Sequence, residues 1–259
     1  MNSSSKRAAL LSALLATAAA VALLGHAQST PAPAPPTAPL TDRNLIVLDP
    51  AHGGPDNGAI LPGLGPEKDV TLTLANRLRA ALTSAGFAVV STRENDPPVA
   101  LSADQRADIV NRAHPLACIL LHATATGSGV HIYTSTLPAP NPQAANPEDT
   151  SPPFTPIPWD EAQAGFIPQS LALASSLTAA FADANLPAFS GRVPLRPLDN
   201  LTCPAVAIEL APLPVAGEDP TSVGDPAYQQ RIAATLATAL RASRDHPGPP
   251  FLAAPGTPR

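Results

Sequence analysis

A chain of 259 residues, 44 % of them hydrophobic, is long enough for one domain of ordinary size with appendages at its ends. Only 3 % of the residues are aromatic, so the core has to be built mainly from Ala, Leu, Val and Ile. The formal net charge of −5 excludes the basic surface that nucleic-acid-binding proteins need, so no nucleic-acid partner is expected.

The N-terminus has the pattern of a secretion signal over residues 1–27. Lys6 and Arg7 form a positively charged start, and an apolar run rich in Leu and Ala follows. Gly25 and Ala27 then supply the small residues of a cleavage site. An uncleaved membrane anchor is the alternative, although the apolar run is at the short end for a span. In either case we expect the domain to work outside the cytoplasm, as a periplasmic or secreted protein.

Pro-rich segments flank and interrupt the folded part of the chain. Residues 28–41 are typical of an extended spacer, residues 42–243 of the folded domain, and residues 244–259 of a disordered tail. Residues 137–168 form a Pro-rich insertion within the domain. We expect this insertion to lack regular structure, to border the ligand-binding cleft and to regulate access to it.

Strand and helix patterns alternate along the folded domain. Apolar runs predict strands at residues 45–49, 87–92, 117–121, 130–133, 193–198 and 204–210. Apolar residues at helical spacing predict helices from Glu67 to the stop at Gly86, at residues 102–113, at residues 168–184 and from Pro226 onwards. This alternation favours an α/β fold, with a single domain built on a mostly parallel twisted sheet that helices flank on both faces.

Residues able to bind a metal accompany several of these elements. His52 lies in the glycine-rich loop after the first strand, Glu67 begins the first helix, and His122 ends the third strand. Glu209 ends the last strand. Because open α/β sheets place ligands at the carboxyl ends of their strands, we expect these side chains to converge. Two histidines and one carboxylate, with a position left open for water, make the ligand set of a catalytic zinc site.

Six short motifs follow each other along the domain. They are DPAHGGPDNGA at residues 49–59, EKD at 67–69, TR at 92–93, Arg106 with Asn111, LLHA at 120–123 and PAVAIEL at 204–210. With these motifs the chain resembles, over about residues 45–240, the zinc-dependent N-acetylmuramoyl-L-alanine amidases of the amidase-3 type. Three segments depart from the family pattern and affect the shape of the substrate groove rather than the ligands: Ala51, Thr124 and residues 211–214.

The resemblance implies a Zn²⁺ ion held by His52, Glu67 and His122, with Glu209 as the catalytic carboxylate. It also implies the reaction, hydrolysis of the amide bond between N-acetylmuramic acid and L-alanine in peptidoglycan. Zinc lowers the pKa of a bound water and polarises a carbonyl oxygen, while a nearby carboxylate moves the proton. Two alternatives stay open: a non-catalytic peptidoglycan-binding module with the same fold, and a zinc peptidase acting on the peptide stems.

Other polar residues are candidates for supporting roles. Asp49 and Asp56 are expected to brace the loop or to orient a ligand histidine. His131 alternates along a strand and is a candidate for lining the cleft. Three arginines are candidates for structural ion pairs or for meeting a substrate carboxylate: Arg93, Arg106 and Arg196.

Three further expectations concern packing and partners. Trp159 either stacks on a sugar or simply packs. A disulfide between Cys118 and Cys203 is possible if their predicted strands are neighbours, and two buried free thiols are the other interpretation. We expect a monomer that meets a membrane only if its leader is uncleaved, and an activator protein is a candidate partner.

Overall fold

The computed structural model describes residues 42–140 and 157–246. The predicted leader and spacer, the centre of the Pro-rich insertion at 141–156 and the end of the tail at 247–259 lie outside the described residues. The expectations about these segments therefore stay predictions.

Eight strands and four α-helices make up the described part of the chain. The strands are β1 (Asp42–Pro50), β2 (Ile60–Leu61), β3 (Gly65–Pro66), β4 (Ala88–Ser91), β5 (Pro115–Ala123), β6 (Val130–Ser135), β7 (Ala188–Val193) and β8 (Ala205–Leu210). The α-helices are α1 (Glu67–Ser84), α2 (Ala103–Ala113), α3 (Ile167–Asp183) and α4 (Pro226–Asp245). Two 3-10 helices lie at Trp159–Phe166 and Leu198–Asn200.

Six strands form one sheet in the order β4-β1-β5-β8-β6-β7. All neighbours in it run parallel except β6 and β8, which are antiparallel. The short strands β2 and β3 form a separate antiparallel pair that the sequence patterns did not predict. This architecture confirms the predicted α/β fold with a mostly parallel sheet.

The sheet separates two apolar cores because alternate residues of each strand point to opposite faces. On one face, residues such as Leu48, Ile119 and Ile208 pack against α1, α3 and α4. On the other face, Val47 and Leu120 pack with α2 and the region of the second 3-10 helix. Burial of both faces explains why the central strands have continuous apolar runs rather than alternating ones.

Local capping signals account for the observed starts of two helices. Ser102 and Gln105 form a capping box at the start of α2. Asp225 accepts a hydrogen bond from the N–H of Tyr228 at the start of α4, where Pro226 occupies the first turn. Both helices begin within one residue of the predicted positions because these caps satisfy the otherwise unpaired N–H groups.

The strand predicted at residues 193–198 is wrong. The chain forms β7 earlier, at Ala188–Val193, where it pairs with β6. The segment after it turns into the second 3-10 helix, because Pro194 and Pro197 have no N–H to donate to a ladder.

Two predictions about irregular segments also need correction. The insertion at 137–168 was expected to lack regular structure, but its proline-free run Trp159–Phe166 forms a 3-10 helix. The tail was expected to begin at residue 244, but α4 continues to Asp245 because the first proline of the tail is Pro247.

One face of the long apolar stretch around α3 packs on the core. By length and composition alone, Trp159–Asp183 could cross a membrane, as buried helices of soluble proteins also could. In this fold Leu177 and Phe181 of α3 are buried against the sheet. Packing accounts for this buried face, which makes up 33 % of the most apolar window of the stretch.

Of the two alternatives for the cysteines, the structure shows two buried free thiols. Cys118 lies in β5, and Cys203 lies two residues before the neighbouring strand β8, in which Ala205 pairs with Cys118. Burial raises the pKa of the Cys203 thiol to about 12 and that of Cys118 well above its ordinary value. Both thiols are therefore protonated at neutral pH and act as small apolar core residues.

Candidate metal centre and catalytic site

The loop after β1 brings His52 back over the end of the sheet. His52 has a left-handed backbone conformation with φ of +62°, which is uncommon for a residue with a side chain. The loop closes at Gly58, where a Cβ atom would lie 2.5 Å from His52 Cδ2 and 2.7 Å from Glu67 Oε2. Only glycine fits there, because its missing side chain makes room for the two functional groups.

Glu67 is the first residue of α1, and its side chain is only 6 % exposed. Its Oε1 accepts the N–H of Ala123 at 3.1 Å, and its Oε2 accepts the N–H of Ala59 at 3.0 Å. The same two oxygens face His122 Nδ1 at 3.1 Å and His52 Nε2 at 3.2 Å. Burial opposes ionisation, yet the hydrogen bonds from His122 and His52 hold the pKa of Glu67 far below its usual value.

The three side chains form a compact donor set. One ligand atom each from His52, Glu67 and His122 lies within 4.8 Å of the other two. In a tetrahedral zinc site with bonds of about 2.0–2.2 Å, two ligand atoms are about 3.3–3.6 Å apart. Each histidine nitrogen already lies close to one Glu67 oxygen, His122 Nδ1 at 3.1 Å from Oε1 and His52 Nε2 at 3.2 Å from Oε2. The donor set therefore fits a divalent metal that prefers nitrogen and oxygen ligands and keeps a position open.

Asp56 fixes the orientation of the first histidine. Its Oδ2 lies 2.9 Å from His52 Nδ1, and its Oδ1 accepts the N–H of Gly58 at 3.1 Å. The hydrogen bond to Glu67, with a further contribution from Asp56, raises the pKa of His52 against the effect of burial. A carboxylate on one ring nitrogen directs the other nitrogen to the metal, which is the arrangement common around zinc ligands.

Two buried arginines, Arg93 and Arg106, bind the backbone of the loop after β1. Arg106 Nη1 donates to Asp49 Oδ1 at 2.7 Å, and its Nη2 donates to the carbonyl of His52 at 2.7 Å. Asp49 also accepts the hydroxyl of Thr92. Arg93 donates to four backbone carbonyls, including that of Ala51 at 3.0 Å. Asp49 and these arginines thus act on the loop backbone rather than on the donor set directly.

Glu209 lies beside the donor set without belonging to it. On the neighbouring strand it is directly opposite His122, so the two side chains share one face of the sheet. Tyr133 of β6 donates its hydroxyl to Glu209 Oε2 at 3.5 Å. Burial, together with the adjacent carboxylate, raises the pKa of Tyr133, so this hydroxyl stays protonated at neutral pH.

A pocket of about 300 Å³ opens next to these groups. Its lining joins the polar groups to an apolar wall: His122, Glu209, Tyr133, Ala207, Val193, Pro194 and Leu195. A carboxylate beside a candidate metal, at the edge of a partly apolar pocket, is suited to proton transfer during hydrolysis.

Two other predicted residues stand apart from the donor set. Arg196 is exposed and, among the residues that the structure describes, has no hydrogen-bonding or ion-pair partner. Trp159 donates its indole N–H to Asp104 at 2.9 Å, while 45 % of the residue is exposed. Roles for both in substrate binding stay predictions.

The sequence patterns did not single out three features of the site. The sequence predicts Tyr133 only as a strand residue, although its alternation with His131 indicates that both side chains face the same side. Gly58 was part of a motif without a stated steric reason. The paired N–H groups of Ala59 and Ala123 leave no sequence signal, because any residue carries a backbone donor.

The sequence matches the amidase-3 family, described as N-acetylmuramoyl-L-alanine amidase, over residues 46–242. The N-acetylmuramoyl-L-alanine amidase Rv3717 of Mycobacterium tuberculosis is 31 % identical over 176 residues, which are 59 % of this chain and 68 % of that relative. The germination-specific N-acetylmuramoyl-L-alanine amidase of Bacillus subtilis is 52 % identical over 56 residues, or 22 % of this chain. The aligned part spans 23 % of the length of that relative, and likewise 23 % of AmiC from Neisseria meningitidis.

Solved structures share the fold. The catalytic domain of CwlV from Bacillus (Paenibacillus) polymyxa var. colistinus has a TM-score of 0.56 at 22 % identity, covering 78 % of this chain and 98 % of that domain. AmiC2 of Nostoc punctiforme has a TM-score of 0.55 at 20 % identity, covering 80 % of this chain and all of that one. Since the family match extends over most of the described domain and includes every residue of the donor set, the chain belongs to the amidase-3 family of N-acetylmuramoyl-L-alanine amidases.

Proposed function

We propose that this protein is a zinc-dependent hydrolase of the amide bond between the lactyl group of N-acetylmuramic acid and L-alanine in peptidoglycan. The observation that carries the proposal is the convergence of His52, Glu67 and His122 within 4.8 Å, with Glu209 opposite His122 on the next strand. Family membership supports the substrate class, because relatives of this chain are named for this reaction.

Different residues of the chain bind the metal and transfer the proton. His52, Glu67 and His122 would hold the Zn²⁺ ion, and Asp56 orients His52 toward it. Zinc, when bound, activates water and polarises the scissile carbonyl. Glu209 accepts the proton of the attacking water as the carbon–oxygen bond forms. It then delivers that proton to the nitrogen of L-alanine as the carbon–nitrogen bond breaks.

Glu209 suits this task because of its surroundings. It is the penultimate residue of a strand whose other residues are buried and apolar, and it lines a pocket with a partly apolar wall. The hydroxyl of Tyr133 holds one carboxylate oxygen and leaves the other available to a proton. We therefore assign the proton transfer to Glu209.

The full chain, loaded with zinc, should release intact peptides that begin with L-alanine from purified peptidoglycan. Glu209→Ala should lose this activity while it retains zinc, and a chelator should abolish activity in the parent protein. Zinc binding without any cleavage would support the alternative of a non-catalytic peptidoglycan-binding module. Shortened stem peptides, identified by mass spectrometry, would instead identify a zinc peptidase.

We further propose that the protein acts in the periplasm or after secretion. The signal-like pattern at residues 1–27 supports this location. It also agrees with the names of relatives from Staphylococcus epidermidis, which are called probable cell wall amidases. A monomeric enzyme under the control of an activator protein fits this role. Fractionation of producing cells, followed by N-terminal sequencing, tests both the location and the cleavage after Ala27.

A further inference from the structure

A row of side chains extends from the donor set across the sheet. The strand register places Glu209 directly opposite His131, and His131 directly opposite Phe189 of the edge strand β7. All of them therefore lie on the face that also carries His122. Tyr133 follows His131 by two residues and shares this face. We call His131, Tyr133 and Phe189 the aromatic strip.

The rings of the aromatic strip form a nearly continuous surface. His131 stacks on Phe189 with ring centres 5.3 Å apart and an angle of 29°. It stacks on Tyr133 at 6.1 Å and 19°. Phe189 is 50 % exposed, whereas Phe87 and Phe181 are buried in the core. Phe189, stacked on His131, thus extends a row of aromatic rings into solvent, where a ligand could pack on them.

A glycine keeps the strip open beside the pocket. Gly191 lies opposite Tyr133 on β7, where a Cβ atom would come within 3.3 Å of the tyrosine ring. The next residue on the same side of that strand, Val193, lines the pocket that also contains Glu209. The strip and the pocket are therefore one surface that leads from the edge of the sheet to the candidate catalytic carboxylate.

We infer that the aromatic strip is a binding subsite for a pyranose ring of the glycan, on the sugar side of the scissile bond. This inference rests on the proposed function. Aromatic side chains supply a large apolar face, and the axial C–H groups of a pyranose supply a matching one. The hydroxyl of Tyr133 and the ring nitrogens of His131 lie at the edge of this surface, where the hydroxyl groups of a sugar would meet them.

The peptide stem matches the strip less well. Its free carboxylates require cationic partners, whereas the strip presents ring faces. The cation on β7, Arg192, alternates with Gly191 and Val193 and so lies on the opposite face of the strand from the strip, where it donates to the backbone carbonyls of Ser135 at 2.9 Å and Leu137 at 2.7 Å. It is thereby held in the structure and does not offer its full guanidinium to a carboxylate.

Phe189→Ala tests the subsite because this exposed side chain can be removed without opening the core. We expect kcat/KM to fall about tenfold on a disaccharide peptide, mainly through KM. On an N-lactoyl peptide, which keeps the scissile amide but lacks both sugar rings, kcat/KM should not change. Phe189→Trp should restore the parent value, whereas Phe189→Leu should not.

Leu171→Ala serves as the matched control, since Leu171 is 41 % exposed on α3, on the other side of the sheet. It should leave both substrates unaffected. An equal loss on both substrates in Phe189→Ala would overturn the inference and assign the strip to the peptide stem. Unchanged kcat/KM on both would overturn it as well.

A binding measurement separates failure of the subsite from failure of the proposed reaction. Glycan strands stripped of their peptides should bind the full-length protein, and Phe189→Ala should weaken that binding about tenfold. This result would support the subsite even if no amide were cleaved. Cleavage of peptidoglycan by a protein that shows no affinity for the stripped glycan would overturn the subsite and leave the proposed function standing.

Discussion

At the scale of single residues, the site depends on the absence of a side chain as much as on the ligands. Gly58 and Gly63 both have left-handed φ values, +64° and +72°. A Cβ atom at Gly58 would collide with His52 and Glu67, whereas one at Gly63 would have nothing within 4 Å. Comparing substitutions at these two glycines therefore separates the effect of backbone strain from the effect of a side chain that enters the metal site.

We expect Gly58→Ala to weaken zinc binding by about 10- to 100-fold, the range found when the orientation of a ligand is disturbed. Gly63→Ala should carry a similar backbone strain and keep the parent zinc affinity. Competition titrations with a chromophoric chelator measure both affinities. Equal losses in the two variants would show that backbone strain, rather than intrusion, controls the site.

Asp96 should have a measurable effect on the stability of the fold, because it links the loop that contains Gly54 to α1. Its Oδ1 accepts the N–H of Gly54 at 2.6 Å, and its Oδ2 accepts Lys68 Nζ at 2.8 Å. The hydrogen bond from Lys68, with that from Gly54, lowers the pKa of Asp96. A group whose pKa is lower in the folded state stabilises the fold above its unfolded pKa, about 3.9 for Asp.

This contribution should be complete above about pH 5 and should disappear as the pH falls through the lowered folded pKa. Urea unfolding of the parent protein and Asp96→Asn, at pH values from 3 to 7, measures it. We expect the difference in unfolding free energy between the parent protein and Asp96→Asn to be constant near neutral pH and to shrink below about pH 4. A difference that grew toward low pH would contradict this assignment.

At the scale of elements, α2 carries two ion pairs in opposite environments. The Arg106–Asp49 pair is buried, with side chains 6 % and 3 % exposed, and it also holds the carbonyl of His52. The Arg112–Asp108 pair lies on the surface of the same helix, with side chains 79 % and 50 % exposed. A buried charge that loses its partner is far more costly than an exposed one.

Arg106→Met should therefore lower the unfolding free energy by about 3–5 kcal/mol, because Asp49 would stay buried without a counter-charge. Arg112→Met, on the same helix, should change it by less than about 0.5 kcal/mol. Chemical denaturation of both variants provides the comparison. Similar small effects in the two would mean that water reaches Asp49.

At the scale of the whole molecule, the donor set joins parts of the fold that are distant in sequence. His52 comes from the loop after β1, Glu67 from α1 and His122 from β5. The unfolded chain does not hold these groups together, so a metal that binds them stabilises the folded state by mass action. Metal binding and folding are therefore coupled.

Adding zinc to protein first freed of metal should raise its thermal unfolding midpoint. At a free concentration 100 times Kd the stabilisation should be about 2.7 kcal/mol. His122→Gln should lose most of this increment, and magnesium should produce little of it in the parent protein. An equal increment in His122→Gln would mean that zinc stabilises the fold from another site.

Much of this molecule could be predicted from its sequence, because the signals concerned are local. The apolar runs of β1, β5 and β8 indicate buried strands. The capping residues Ser102 and Asp225 fix the starts of two helices through hydrogen bonds to residues only three positions along the chain. The residue types at the strand exits also identify His52, Glu67 and His122 as a candidate donor set. The prediction of a strand at 193–198 was wrong because it followed the more apolar segment, which prolines interrupt. The segment that pairs with β6 is less apolar and gave a weaker signal.

Only the tertiary structure decided which residues face each other. The antiparallel placement of β6 next to β8 brings His131 and Tyr133 beside Glu209, and the parallel β7 adds Phe189 to the same row. The partner of Arg106 and the steric need for Gly58 likewise depend on contacts across the fold. Strand order and register result from packing between distant segments, and a local pattern of residues does not encode that packing.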